Sequence, residues 1–488
     1  MTSANTGSHL DRQVPVDDRA QDASAASPSG DAAPPVNIRS DPDSPVARDH
    51  AYLWHPFTSM DDWLQQDPLI IESGAGVRVR DIHGREYFDG NSSLWVNVHG
   101  HRHPRIDAAI RQQLDRIAHS TMLGLSNPLA IDLAERLVKL APGGLNRVFY
   151  SDSGSEAVEI ALKIAYQHHV IRGERHRSHY LTLANGYHGD TIGAVSVGGI
   201  AQFHALFKPL LFQTHWGPSP GMLENGFSRP DAALEPFVNL LSENADRLAA
   251  VILEPMIQAA GGMALMPPGF LKGVERACRE FGVLLIVDEV ATGFGRTGRM
   301  FACEHEDVHP DLMCLAKGIT GGYLPLAATL VTDAVFEPFR TPDSVFFHGH
   351  SYTGNALGCA AALANLDLFE ENRVIECLAP KIDLIRRRLA PVTELEHVAE
   401  VRRLGMMIGI EIINDKAGRI PYPPEQGMGA QVCRRARDLG MITRPLGDVV
   451  VFMPPLSSTE EELNAMLDIL IQALVDTTSG SDTNGDAD

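Results

Sequence analysis

The sequence predicts an α/β protein, a sandwich of helices around a mostly parallel sheet, followed by a smaller α+β unit. Three observations carry this expectation. Short apolar runs of strand length alternate with segments whose apolar residues recur at helical spacing. The alternation ends at about Leu368, and a smaller mixed unit follows. Both ends differ in kind from the middle. Residues 1–47 are rich in Ser, Ala, Asp and Pro and hold no aromatic residue, and 477–488 read the same way, so both are expected to be disordered tails. The expected divisions are 48–100 as an N-terminal segment packing with the small domain, 101–368 as the large domain and 369–476 as the small one.

Taken in chain order, Leu129, Leu133, Leu137 and Leu140 form one apolar helical face. Buried strands are expected at 147–150, 180–183 and 250–253. A helix with Phe270, Val274, Ala277 and Phe281 on its inner face comes next, then strands at 283–287, 312–315 and 327–331. An Ala-rich helix is expected at 356–364. The last helix is expected to open with the capping pair Ser458 and Glu461 and to bury Leu463, Leu467, Leu470 and Leu474. Strands separated by helices favour parallel pairing.

Composition bounds the function. The 488 residues are 44% hydrophobic and 21% charged, enough for a large core. Lys+Arg 41 against Asp+Glu 62 gives a net charge of −21, which argues against nucleic acid as a partner. No apolar run approaches the roughly 20 residues that span a bilayer, so no membrane association is expected. The N-terminus has no basic stretch leading into an apolar one, so a secretory signal is not expected. Six cysteines (278, 303, 314, 359, 377 and 433) occur without a CxxC pair, as expected for reduced residues of a cytoplasmic protein, and no metal site is expected.

Chemistry concentrates at strand ends. Lys317 closes the apolar run 311–316, and a glycine turn follows it (Gly318, Gly321, Gly322). Burial disfavours the ammonium, and a neutral amine attacks aldehydes. Asp288 closes the run 282–287. A strand-end Lys and a strand-end Asp one crossover apart are what pyridoxal 5′-phosphate requires: an amine to hold its aldehyde and a carboxylate to keep a proton on its ring nitrogen. A phosphate cradle is expected where Ser153, Gly154, Ser155 and Glu156 follow a strand and open a helix; Ser153-x-x-Glu156 is also a capping box, and the two roles are compatible. Tyr187, in Asn185-Gly-Tyr-His-Gly-Asp190, is the candidate to stack on the ring and a catalytic candidate. The polar segment 348–355, with Gly349, His350 and Ser351, reads as a second anion-binding helix start. Gly293-Phe-Gly-Arg-Thr-Gly298 fits the dinucleotide GxGxxG spacing, but Arg296, Thr297 and Arg299 do not read as a helix start, so a nicotinamide site is disfavoured.

Residues 288–298, Ala316-Lys-Gly-Ile-Thr-Gly-Gly322 and Ser153-Gly-Ser-Glu-Ala157 resemble the class III aminotransferases of pyridoxal-phosphate fold type I, over about 52–476. The resemblance implies the aspartate aminotransferase-like fold and a homodimer in which Gly349, His350 and Ser351 reach the partner's cofactor phosphate. Within the class, residues 53–60, 98–104 and 443–447, with Ala291, resemble members that aminate 8-amino-7-oxononanoate to 7,8-diaminononanoate in biotin synthesis. That implies substrate contacts at Phe57, Leu94, Trp95, Asp190, Gly349 and Arg444, the arginine binding the substrate carboxylate. The adenosylmethionine-using pattern commonly has Trp at Leu94, Tyr at Phe57 and Pro-Thr at His350-Ser351, so both adenosylmethionine and lysine stay open as donor. The expected reaction is a transamination in two halves, with Lys317 as the proton carrier. The alternatives are another ω-aminotransferase acting on a different amine and ketone, and a non-catalytic cofactor-binding protein.

Overall fold

The computed structural model describes residues 41–221 and 230–479; the expected tail 1–47 lies mostly, and the tail 477–488 partly, outside the described residues. The described chain divides into two compact units at Ile70/Ile71. In the first, Ser44 Oγ accepts from Ala47 N and caps the helix Pro45–Tyr52, which has Pro at its first position and begins inside the expected tail. Asp49 accepts from Trp63 Nε1 at 2.7 Å and faces His55 Nε2 at 3.0 Å, tying that helix to the segment after it.

The second unit is built on a seven-stranded sheet. Its order is Leu145–Ser151, Ala327–Thr332, Leu312–Leu315, Leu284–Asp288, Leu248–Leu253, His179–Leu183 and Thr214–Gly217. Every expected strand is present. Five neighbouring strands pair in parallel, and Ala327–Thr332 runs antiparallel to both its neighbours. Leu248–Leu253 is buried at every position, as expected for a strand covered on both faces. Helices Pro128–Leu140, Gly154–Ile171 and Phe270–Phe281 pack against it, the last with Phe270, Val274 and Ala277 buried.

Registers set the site. Val287 lies opposite both Leu253 and Met313, and Asp288 opposite Cys314. The carboxyl ends of three adjacent parallel strands, Leu253, Asp288 and Leu315, therefore stop within two residues of one level, where a crevice forms outside the sheet. Ser151 also ends at this edge, because it pairs with Ala327 across the antiparallel strand.

The later region forms an antiparallel sheet from Val398–Leu404, Met407–Ile412, Val449–Phe452 and Pro445–Leu446, with helices Leu378–Leu389, Met428–Asp438 and Glu460–Thr478. Earlier in the chain, Glu86–Asp89 pairs in parallel with Met441–Ile442 at the end of a short antiparallel meander that begins at Ile71.

One expectation is corrected. Glu460–Thr478 is capped by Thr459 and Glu462, not by Ser458 and Glu461. Both pairs satisfy the same spacing, but Ser458 is buried and its Oγ donates back to Pro455 O at 2.7 Å. The segment 348–355 does lead into a helix: Asn355 Oδ1 accepts from Leu357 N and Gly358 N and caps the helix Ala356–Glu371, with Gly349, His350 and Ser351 in the stretch before the cap.

Candidate active site

A cavity of about 420 Å³ opens at the carboxyl edge of the large sheet. Of the residues singled out from the sequence, Lys317, Asp288, Tyr187, Gly154, Ser155 and Trp95 line it. Leu94, Asp190, Gly349, His350, Ser351 and Arg444 are not among the lining residues, and Phe57 belongs to the first unit, where it is exposed.

Lys317 follows the buried strand Leu312–Leu315 and has φ 48°, a left-handed conformation that non-glycine residues rarely hold. Burial pulls its amine down to about 8, against the opposing fields of Asp288 and Glu254. Its Nζ lies 4.6 Å from the centroid of the Trp95 ring.

Asp288 is buried and doubly held. Its Oδ2 lies 2.7 Å from His188 Nδ1, and its Oδ1 accepts from Val290 N at 3.0 Å. The other ring nitrogen of His188 lies 3.4 Å from Thr182 Oγ1 in the strand His179–Leu183. The carboxylate is thus oriented by a histidine whose opposite end is itself fixed.

Tyr187 is held at both ends. Its phenol donates to Asp190 Oδ2 at 2.6 Å, and its backbone N–H donates to Glu254 Oε2 at 3.1 Å. Burial, reinforced by Asp190, pushes the phenol pKa up, so the side chain stays neutral. Asp190 therefore serves the site through Tyr187, with its own N–H on Ser155 Oγ at 3.1 Å. That bond leaves the Ser155 hydroxyl hydrogen free to donate elsewhere. Gly189 makes the approach possible: at its φ of 119° a Cβ would lie 2.0 Å from Ser155 Oγ.

The start of the helix Gly154–Ile171 tests the phosphate reading. Ser153 Oγ accepts from Glu156 N, and Glu156 Oε2 accepts from the N–H groups of both Asp152 and Ser153. The N–H groups of Gly154 and Ser155 stay without a hydrogen-bond partner among the described residues, at the positive end of an 18-residue helix. This donor set fits a phosphate dianion. The capping expectation is met, and it uses atoms other than those an anion would need.

Arg444 is partly buried, with no carboxylate paired to it among the described residues. Burial lowers its pKa, and its field reaches Lys317 and Tyr187. His350 Nδ1 lies 3.6 Å from Asp152 Oδ2, while Gly349 and Ser351 are exposed.

Three site residues escaped the sequence reading. His188 stands inside a segment singled out for Tyr187. Glu254 directly follows the apolar strand Leu248–Leu253, the same signal that marked Asp288. Its oxygens accept from Tyr187 N and Ala259 N, and burial raises the carboxyl to about 7. Arg296 sits inside the false dinucleotide motif, which forms turns rather than a helix. Its guanidinium is buried with only neutral acceptors, and desolvation lowers it to about 10.

Glu254 gives a pH test. A carboxyl raised from about 4.5 to about 7 on folding binds more protons in the native state between those values, so its contribution to stability falls as pH rises through that window. The cofactor-free protein should lose on the order of 3 kcal/mol of denaturation free energy from this group between pH 4.5 and pH 7, and Glu254→Gln should flatten that slope. Equal slopes in chemical denaturation of the two proteins would remove Glu254 as the titrating group.

The aminotransferase class-III family model matches residues 60–474. This chain belongs to the class III aminotransferases, which are pyridoxal-phosphate enzymes of fold type I. It is 54% identical to the adenosylmethionine-8-amino-7-oxononanoate aminotransferase of Anoxybacillus flavithermus over 440 residues, 89% of this chain and 97% of that one. It is 50% identical to the enzyme of the same name from Aquifex aeolicus, covering 89% and 98%. Among solved structures, that enzyme from Methanocaldococcus jannaschii matches with a TM-score of 0.85 at 45% identity, over 88% of this chain and 98% of that one. An ω-transaminase of Pseudomonas jessenii, solved in complex with PMP, matches with a TM-score of 0.86 at 30% identity, over 91% and 100%.

Proposed function

We propose that this chain transfers an amino group to 8-amino-7-oxononanoate, giving the 7,8-diaminononanoate needed for biotin, with S-adenosyl-L-methionine as donor. The carrying observation is that relatives of 44–54% identity over most of the chain bear the name adenosylmethionine-8-amino-7-oxononanoate aminotransferase. Pyridoxal phosphate, bound in the cavity, supplies an electron sink for the carbon that loses its proton. Lys317 would hold the cofactor through its amine, and the same amine, when free, would be the base that takes up and returns the substrate proton. Asp288, steadied by His188, keeps a proton on the ring nitrogen. Tyr187 would pack beside the cofactor ring, and Gly154 N, Ser155 N and Ser155 Oγ would hold its phosphate. Trp95, which lines the cavity, shapes the substrate space, with Leu94 next to it in the chain and Asp190 acting through Tyr187.

The acceptor carries a carboxylate on a long apolar chain, and Arg444 is the cation proposed to receive it. Arg444→Ala should raise the acceptor KM by about 10- to 100-fold with a smaller effect on the donor half-reaction. Equal losses in both halves would argue against that assignment.

Lysine is the second reading, favoured by Leu94, which is 46% exposed beside Trp95 and offers less aromatic surface to an adenine than a tryptophan would. A donor screen with 8-amino-7-oxononanoate as acceptor decides between them. Product from neither donor would overturn the function and leave another ω-aminotransferase.

The proposal includes a cytoplasmic homodimer. The six cysteines carry no disulfide, which suits a reducing compartment, and no helix of the described residues is long and apolar enough to cross a membrane. Val345, Phe347 and Tyr352, flanking Gly349–Ser351, are exposed in the single chain at 54%, 83% and 57%, a pattern that suits a covered face. If Ser351 serves the partner's cofactor phosphate, co-expressing a Lys317→Ala chain with a Ser351→Asp chain should restore about a quarter of wild-type activity, from hybrid dimers with one intact site. No restoration would place Ser351 in its own chain's site, and a Ser351→Asp chain active by itself would place it outside both.

A further inference from the structure

Four successive non-glycine residues, Ser92, Ser93, Leu94 and Trp95, have φ of 48°, 48°, 71° and 70°. A complete left-handed turn of L residues is disfavoured by contact between each Cβ and the following carbonyl, so it persists only where its surroundings hold it. Asp89 supplies the main hold. Its Oδ1 accepts from Ser93 N at 2.8 Å, and its Oδ2 accepts from Ser93 Oγ at 2.8 Å and lies 3.0 Å from His101 Nε2. From the other side Ser92 Oγ donates to Met453 O at 2.6 Å. Arg296 donates to Ser92 Oγ at 3.2 Å and to Asn97 O at 2.5 Å. Trp95 Nε1 donates to Asn91 Oδ1 at 3.0 Å, which fixes the indole. The outcome is a ring only 5% exposed whose face meets the Lys317 amine at 4.6 Å.

We propose that this turn is a positioning device, in which Asp89 clamps Ser93 so that the Trp95 ring stays against Lys317 and favours its protonated form. Asp89 is then a positioning residue, acting on the amine through Trp95. The inference rests on the reading of Lys317 as the reacting amine. The ring attracts a cation through its quadrupole and so opposes the burial that strips the proton. The other charges facing Lys317 are Asp288 and Glu254, which favour the ammonium, and Arg296 and Arg444, which oppose it. His101 and Arg296 face Asp89. Burial raises the Asp89 carboxyl, and the bonds from His101 and Ser93 outweigh it, so the clamp stays ionised.

The test reads Lys317 without catalysis. In cofactor-free protein, competitive acetylation across pH followed by peptide mass analysis reports the midpoint of Lys317. Trp95→Leu should lower that midpoint by roughly half a pH unit, about threefold more neutral amine at a given pH. Asp89→Asn should shift it the same way, and adding Ser93→Gly, which removes the φ penalty at that position, should return part of the shift. A purely structural Asp89 would lower the melting temperature and leave the Lys317 midpoint in place, which would overturn the proposal, as would an unmoved midpoint in Trp95→Leu. If Asp89→Asn does not fold, Ser93→Ala removes one of the clamp's bonds and is held to the same criterion. Should Lys317 not be the cofactor lysine, these midpoints would still move while reductive trapping labelled a different residue, so the two failures are distinguishable.

Discussion

Lys317→Ala is expected to leave the protein folded and to reduce transamination by about 10⁴-fold or more. The side chain leaves the end of a buried strand and enters the cavity rather than the core, so its removal opens no hole in the packing. It also deletes a cation whose ionisation burial opposes, so the melting temperature of the cofactor-free variant should not fall. On the proposed assignment, what is lost is the covalent anchor and the proton carrier together. Gly154, Ser155, Tyr187 and Asp288 remain, so the variant should still bind pyridoxal phosphate, now reversibly by dialysis. Turnover within tenfold of wild type would give the proton transfer to another group.

Asp288→Asn is expected to have the next largest effect, a loss of about 10²- to 10³-fold with near-normal folding. An amide can replace the bond to Val290 N, but it carries no charge to hold a proton on a ring nitrogen. It also faces His188 with a neutral partner where a carboxylate stood at 2.7 Å. His188→Asn should cost less, about 10- to 100-fold, because it acts by orienting Asp288. Single-turnover amination of the bound cofactor followed by absorbance separates the two. Near-normal turnover of Asp288→Asn would contradict its role, and a His188 variant worse than Asp288→Asn would reverse the hierarchy.

The large sheet was legible because its central strands are buried on both faces and therefore read as unbroken apolar runs. Lys317 and Asp288 were legible for the same reason, since a charge closing such a run stands out. Glu254 carries that signal too and was passed over, because it has no glycine turn or second motif beside it. The strands between Ile71 and Asp89 were not read, since Ile71–Ala75 is mostly exposed, Arg78–Asp81 alternates exposed with buried, and Glu86–Asp89 is only four residues with a charge at each end. Arg296 was seen only as part of a misleading glycine spacing; its burial depends on Ser92, Asn97 and Pro454, about 160 to 200 residues away along the chain. The left-handed turn at Ser92–Trp95 had no local signature at all, because it contains no glycine and is imposed by Asp89 and by partners distant in sequence. Local composition reports burial and turns; it does not report strain that tertiary contacts maintain.

The account depends most directly on which lysine carries the cofactor. Borohydride reduction of the purified yellow protein, followed by proteolysis and mass analysis of the fluorescent peptide, tests this in one step. The account requires a single phosphopyridoxyl group on the peptide containing Lys317, absent from Lys317→Ala. A stoichiometric adduct on any other lysine, or one that persists in Lys317→Ala, would contradict it.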